Sequence, residues 1–114
     1  MRVTLVAVNF WPEATGIGPY VRAYADLLHG AGHRVEVITS RPHYPEWRPR
    51  QSDDSALPYP VRRSHHYIPA RPTQLRRAAF ELSFGIAASR ALRALDRPEL
   101  VLAVSPPVFG ALAA

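Results

Sequence analysis

Two short stretches of the sequence carry residues that could hold a polar ligand. The first is the turn "ATGIGPY", in which Gly16 and Gly18 stand between an apolar run and an amphipathic segment. Glycine lets the backbone approach a ligand without a Cβ atom in the way, and the first turn of a helix has free N–H groups and a partial positive charge. The turn therefore predicts a site for a phosphate or a diphosphate.

The motif by itself also has a purely structural interpretation. The dinucleotide-binding fingerprint needs a third glycine, where this sequence has Val21, and an acidic residue after the second strand, which here ends in Thr39 and Ser40. No Gly-Lys-Ser/Thr follows the turn, so it is not a P-loop. NAD binding and P-loop chemistry are disfavoured. A tight loop packed against a helix explains the two glycines as well as a phosphate site does.

The second stretch is the loop "SRPHYPEW", which places His43, Tyr44, Glu46 and Trp47 among prolines. Aromatic faces stack on sugar rings, and a carboxylate accepts hydrogen bonds from sugar hydroxyls. The loop therefore predicts a carbohydrate contact, and Glu13, just before the glycine turn, is a further candidate for it. The alternatives are a rigid, proline-braced loop that only packs, and a solvated charge near a helix start.

Composition narrows the classes of function. The chain has no cysteine, which excludes disulfides, thiolate metal sites and cysteine nucleophiles. Its apolar fraction of 47% is sufficient for a folded core. The net charge of +5 comes from arginine alone, which is consistent with codon bias, so a solvated basic surface and a patch for phosphates or an anionic membrane both remain open. We expect neither a signal peptide nor a membrane span.

Hydrophobic periodicity predicts the elements that position these residues. Apolar, β-branched runs predict four strands, at 2–9, 34–40, 61–68 and 99–105. Helical spacing predicts one helix over 18–33, with Pro19 in its first turn and Gly30 and Gly32 at its end, and a second over 73–95 with Thr73 as its N-cap. The proline-rich segment 41–60 is predicted to be a long functional loop.

This order of elements predicts an α/β fold: a three-layer, Rossmann-like parallel sheet. The segment 106–114 has the pattern of a further helix that has just begun. We therefore expect residues 1–114 to form a partial N-terminal domain of a longer protein.

The motifs together resemble the N-terminus of family 4 glycosyltransferases of the GT-B fold. The resemblance rests on "PEATGIG" after the first strand, "GHRVEVIT" at the second, and "PHYPEW" in the loop that follows. The last motif is similar to the subgroup of colanic-acid and O-antigen fucosamine-type enzymes. The resemblance is strong over 1–48, looser over 49–80 and generic beyond.

The resemblance implies a retaining transfer of a sugar from a nucleotide diphosphate sugar to an acceptor, without a metal or another cofactor. The acceptor would be a saccharide, lipid-linked or free, in bacterial surface polysaccharide synthesis. The enzyme would be cytoplasmic, with peripheral contact at the inner face of the membrane. An N-terminal domain of this kind holds the acceptor, and a C-terminal domain absent from this chain holds the donor.

Site residues follow from the resemblance and from the loop chemistry together. The donor diphosphate would contact the glycine turn, at Thr15, Gly16, Ile17 and Gly18. The acceptor would contact Glu13, His43, Tyr44 and Trp47. The family's catalytic-region histidine and donor-binding glutamates lie beyond the chain, so no catalytic residue is predicted and this chain alone is expected to be inactive.

Other interpretations remain open at this point. One is a non-catalytic module that binds nucleotides or sugars, and another is a basic domain that binds nucleic acid or a membrane, although we expect no nucleic-acid partner. On the second predicted helix, Phe80 and Phe84 share a face with Arg76 and Arg77 nearby. A core face with arginine edges is favoured there over a helix that lies on an anionic membrane.

Overall fold

The computed structural model describes residues 1–14, 16–44, 46–71, 73–95 and 98–104. Within them, four parallel strands form one sheet in the order β3-β2-β1-β4. The strands are β1 (Arg2–Val6), β2 (Arg34–Ser40), β3 (Val61–Ser64) and β4 (Leu100–Ala103), and the helices are α1 (Gly18–Gly30) and α2 (Gln74–Ala94). This arrangement confirms the predicted α/β, Rossmann-like parallel sheet.

Strand β1 lies at the centre of the sheet and is covered on both faces. Its side chains point alternately to opposite sides. Leu5 belongs to a cluster with Val21 and Ala25 of α1, whereas Val6 belongs to a cluster with Phe80 and Phe84 of α2. The two helices therefore cover opposite faces of the sheet, and the layers number three, as predicted.

The two helices begin where the sequence predicts, but α1 ends at Gly30, before the predicted end at residue 33, and its C-cap is Ala31. Pro19 stands in the first turn of α1, where its missing N–H costs no hydrogen bond. Gly32, just beyond the end of α1, has φ +92°, a conformation that glycine adopts without strain. The hydroxyl of Thr73 accepts a hydrogen bond from the backbone N–H of Arg76 at 3.2 Å, which confirms Thr73 as the N-cap of α2.

The strands are shorter than the sequence predicts. β1 ends at Val6, although Ala7 and Val8 continue buried beyond it. β3 stops at Ser64, and β4 spans only Leu100–Ala103. At β1 the apolar run predicted burial correctly, and burial extends past the last paired residue of the strand. At β4 it did not, because Leu100 and Leu102 are exposed. The helix predicted over 106–114 lies outside the described residues.

The long loop contains one short element that the sequence analysis missed. A single 3₁₀ turn spans Asp54–Ala56, and the carboxylate of Asp53 accepts a hydrogen bond from the Ser55 N–H at 3.1 Å. Aspartate at this position competes for backbone N–H groups and so starts turns. The turn places Asp54 where it pairs with an arginine of β3.

That arginine, Arg63, joins the chain segments that leave the sheet at its carboxyl edge. Its guanidinium lies 2.9 Å from Asp54 in an ion pair and donates to the carbonyl oxygens of Ser40, at 2.9 Å, and Trp11. The side chain is only 11% exposed. Arg63 therefore fixes the end of β2 and the loop after β1 relative to β3.

We predict that Phe84→Ala destabilises the fold strongly, because Phe84 is fully buried between α2 and the sheet. The expected loss in the free energy of unfolding is about 3–5 kcal/mol. Leu82→Ala, two residues away on the exposed side of α2, is the control and is expected to change it by less than about 0.5 kcal/mol. Urea unfolding measures both, and equal losses would contradict the assignment of the two helix faces.

Candidate functional site

A pocket of about 250 Å³ opens at the carboxyl ends of β1 and β2, on the side of the sheet that α2 covers. In open parallel α/β sheets, ligands bind at this edge. The segment after β1, the loop after β2 and the N-terminal half of α2 supply its walls. The residues that line it are Val8, Asn9, His43, Tyr44, Trp47, Arg77, Phe80 and Glu81.

One wall of the pocket is aromatic. The ring of Trp47 lies edge-to-face against Phe80, with the centroids 5.2 Å apart, and His43 lies 5.4 Å from Trp47. The guanidinium of Arg77 lies over the Trp47 ring, 5.5 Å from its centroid. Trp47 itself has φ +57°, a backbone conformation that bulky residues seldom adopt. The fold thus holds this tryptophan in a strained but defined position at the pocket.

A hydrogen bond to the backbone determines which ring nitrogen of His43 carries a hydrogen. The Nδ1 atom lies 2.8 Å from the carbonyl oxygen of Arg41. Because a carbonyl oxygen only accepts, Nδ1 must carry the hydrogen, which leaves Nε2 as the acceptor whenever the ring is neutral. The ring is buried, at 1% exposed, yet lines the pocket. His43 can therefore accept a hydrogen bond from a ligand hydroxyl.

Glu13 lies behind this wall and does not line the pocket. Its carboxylate is buried and accepts hydrogen bonds from the backbone N–H groups of His43, at 2.8 Å, and Tyr44, at 2.6 Å, through Oε2. The other oxygen accepts from the side-chain amide of Asn9 at 3.0 Å. The structure therefore brings Glu13 together with the predicted aromatic loop, where it bonds to the backbone and lies 3.6 Å from Nδ1 of the His43 ring.

The glycine turn lies against the same loop. Gly16 has φ +72°, and a Cβ atom there would lie 3.1 Å from Cε1 of the Tyr44 ring. Gly18 is buried, and a Cβ atom there would lie 3.1 Å from the carbonyl oxygens of both Phe10 and Glu13. Each glycine thus has a packing reason to be glycine, and contact with a diphosphate stays a prediction.

The remaining residues predicted in the turn give less information. Ile17 is the N-cap of α1, and its carbonyl accepts the first helical hydrogen bond, from the Val21 N–H at 3.0 Å. Thr15 lies outside the described residues. The helix N-terminus is present where a phosphate site requires it.

The comparison with known proteins bears on this geometry. The family model described as "Glycosyl transferase 4-like domain" matches residues 15–114. The chain belongs to this family. It is also 33% identical over 120 residues to a protein of Escherichia coli (strain K12) with the provisional name colanic acid biosynthesis glycosyl transferase WcaI. That match covers 96% of this chain and 29% of the relative, so the chain spans less than a third of the relative's length. No solved structure matches the chain significantly.

In this glycosyl transferase 4-like chain, five pocket residues were not predicted as site residues. Arg77, Phe80 and Glu81 come from α2, and Val8 and Asn9 follow β1. Their spacing of three and four residues on one helix was a usable signal, because such residues share a face. The core interpretation of Phe80 and Phe84 is confirmed by their burial, and Arg77 stands at the edge of that core, over Trp47.

His66, which is not among the predicted site residues, supports the back of the aromatic wall. Its ring lies 5.2 Å from Phe80 and 5.3 Å from Phe84, and its Nε2 lies 2.7 Å from the hydroxyl of Ser40. Burial, with a smaller effect of nearby His43, lowers the pKa of His66 to about 4. The ring is therefore neutral at pH 7.

The described segments lack two features that bear on function. None of their helices is long and apolar enough to cross a membrane. They also contain no cluster of three or more histidine, aspartate or glutamate side chains that could hold a metal ion.

We predict that His66 makes the fold less stable in acid. The unfolded chain binds a proton at His66 near pH 6.5, whereas the folded chain does so only near pH 4, so stability present above pH 6.5 is lost as the pH falls toward 4. Glutamine does not titrate, so the melting temperature of His66→Gln should change less with pH between pH 6.5 and about pH 4 than that of the wild type. His65→Gln, at an exposed neighbour, is the control. A slope that His66→Gln leaves unchanged would contradict this assignment.

Proposed function

We propose that this chain is the acceptor-binding part of a retaining glycosyltransferase of the GT-B fold. The enzyme would transfer a sugar from a nucleotide diphosphate sugar to a saccharide acceptor in the synthesis of a bacterial surface polysaccharide. Membership of the glycosyl transferase 4-like family supports the transferase class. The name of the Escherichia coli relative supports the polysaccharide role.

The pocket beside Trp47 is the observation that carries this proposal. A sugar ring presents a face of C–H groups as well as hydroxyls, and sugar sites combine an aromatic face with a few hydrogen-bonding groups. This pocket combines Trp47 and Tyr44 with the polar side chains of Asn9, His43 and Glu81. In our proposal the acceptor sugar stacks on Trp47, and its hydroxyls bond to the polar groups.

The glycine turn would act at the other substrate. Bond cleavage leaves negative charge on the departing diphosphate, which must be stabilised by preorganised donors. The N-terminal N–H groups of α1 at Gly18 supply part of that stabilisation in our proposal. In a retaining transfer the acceptor hydroxyl forms a bond to the anomeric carbon on the face from which the diphosphate departs, and the hydroxyl proton passes to an oxygen of the leaving diphosphate. Because the chain spans 29% of its relative, the donor-binding domain and the catalytic groups would lie in the rest of the protein.

A peripheral membrane contact on the cytoplasmic side is a second part of the proposal, and an exposed stripe on α2 favours it. Leu75, Leu82 and Ile86 share one helix face and are 81%, 48% and 48% exposed. Arg90 and Arg93 are exposed at the C-terminal end of α2. An apolar stripe with basic residues is typical of helices that lie on anionic membranes. A lipid-linked acceptor would then be presented near the pocket.

We predict that Trp47→Ala, in the complete gene product, raises the KM for a lipid-diphosphate saccharide acceptor about tenfold or more, because the stacking face is lost. The KM for the nucleotide sugar should change much less. Trp11→Ala is the matched control, since Trp11 also lies under an arginine, Arg22 at 5.4 Å, but away from the pocket. Initial rates with a panel of nucleotide sugars give both KM values for each variant. Absence of any transfer by the wild type would favour a non-catalytic binding module.

We predict that Leu82→Ser with Ile86→Ser weakens binding to vesicles that contain anionic lipid, in a flotation assay with the complete gene product. Leu27→Ser on α1, at a side chain 70% exposed, is the control and should leave flotation unchanged. High salt should also weaken binding, because the arginine contribution is screened. Equal flotation of all variants would remove the membrane contact from the proposal.

A further inference from the structure

We propose that Glu13 is a positioning residue for the pocket: its buried carboxylate holds the backbone of the aromatic loop and thereby sets where Tyr44 and Trp47 meet the ligand. For its kinetic consequences this inference rests on the proposed function. Its structural part stands independently. It differs from a direct contact between Glu13 and an acceptor, because Glu13 reaches the pocket through other residues.

The contacts of Glu13 span 30 residues of sequence. One carboxylate oxygen accepts two consecutive backbone N–H groups, those of His43 and Tyr44, at 2.8 and 2.6 Å. The other oxygen accepts from the amide of Asn9, which itself lines the pocket, at 3.0 Å. A single carboxylate thus joins the loop after β1 to the loop after β2.

The negative charge is important for this arrangement. Buried backbone N–H groups need an acceptor, and one ionised oxygen can satisfy two of them with strong hydrogen bonds. A glutamine at this position offers one neutral oxygen. Its amide group would also turn a donor toward Asn9 or toward the loop N–H groups. Loss of the charge should therefore loosen the loop backbone although the side-chain size is nearly unchanged.

Tyr44 transmits the effect to the pocket and to the glycine turn. Its N–H is held by Glu13, its ring packs beside Gly16, and it lines the pocket. Trp47 follows three residues later in a strained conformation with φ +57°. A strained residue keeps its conformation only where the surrounding structure determines it, and the Glu13 bonds fix the backbone immediately before it.

The first test measures the loop itself. Amide hydrogen exchange is followed at His43 and Tyr44 in the complete gene product, for the wild type, Glu13→Gln, Glu13→Asp and Asp26→Asn. Asp26→Asn is the matched control, because Asp26 also accepts a hydrogen bond, from the Tyr59 hydroxyl at 2.8 Å, but lies on α1 away from the pocket. We expect exchange at His43 and Tyr44 to rise about tenfold or more in Glu13→Gln, to rise less in Glu13→Asp, and to stay at the wild-type rate in Asp26→Asn.

The second test measures kinetics on the same proteins with a lipid-diphosphate saccharide acceptor. Glu13→Gln should raise the acceptor KM about ten- to a hundredfold, with a smaller change in kcat. Glu13→Asp keeps the charge and should recover part of the loss, and Asp26→Asn should behave as the wild type. A purely structural role would instead lower the amount of active enzyme and leave KM unchanged.

The outcomes separate the inference from the proposed function. Faster exchange with a selective rise in acceptor KM supports the positioning role. Unchanged exchange, or an unchanged acceptor KM in a folded Glu13→Gln enzyme, overturns it. If Glu13→Gln does not fold, Glu13→Asp decides by the same two measurements. A wild type that transfers no sugar would refute the proposed function. The exchange result would still test whether Glu13 holds the backbone of the aromatic loop.

Discussion

The burial of β1 on both faces is the constraint on which the rest of the structure depends. Leu5 and Val6 point to opposite sides of the sheet, so each helix must cover one face. Strand β4 pairs with β1 on the side opposite β2 and β3, so the chain must cross the sheet after β3 to form this pair. All four strands consequently run parallel and end at the same edge. The segments that follow β1 and β2 therefore meet there, next to the first turns of α2, and form the pocket.

Two charged side chains hold those segments together, Glu13, which is buried, and Arg63, which is 11% exposed. Arg63 donates to carbonyl oxygens at the end of β2 and in the loop after β1, and Asp54 neutralises it. Glu13 does the opposite, since its carboxylate accepts from backbone N–H groups. Each charge thus replaces hydrogen bonds that the irregular loops cannot make to each other. These contacts make the loops a defined wall, although they contain little regular structure.

Local patterns were sufficient to predict the layers, the order of the strands along the chain and the N-cap of α2 at Thr73. The apolar runs at β1 and β2 and the Thr73 cap depend on neighbouring residues alone, which is why they could be recognised. The role of Glu13 could not be, because its partners are 30 residues away and become neighbours only at the sheet edge. The same holds for His66, whose burial follows from Phe80 and Phe84 of another element.

The position of Arg77 over Trp47 has a consequence for the energetics of the pocket. The guanidinium lies over one face of the Trp47 ring, so a ligand that stacks on that face competes with it. A cation–π contact of this kind is worth about 0.5–2 kcal/mol. Any ligand that stacks there must first displace it, and its apparent affinity is lower by that amount. A ligand carrying an anionic group beside its ring would recover the loss, because the displaced arginine could bind it.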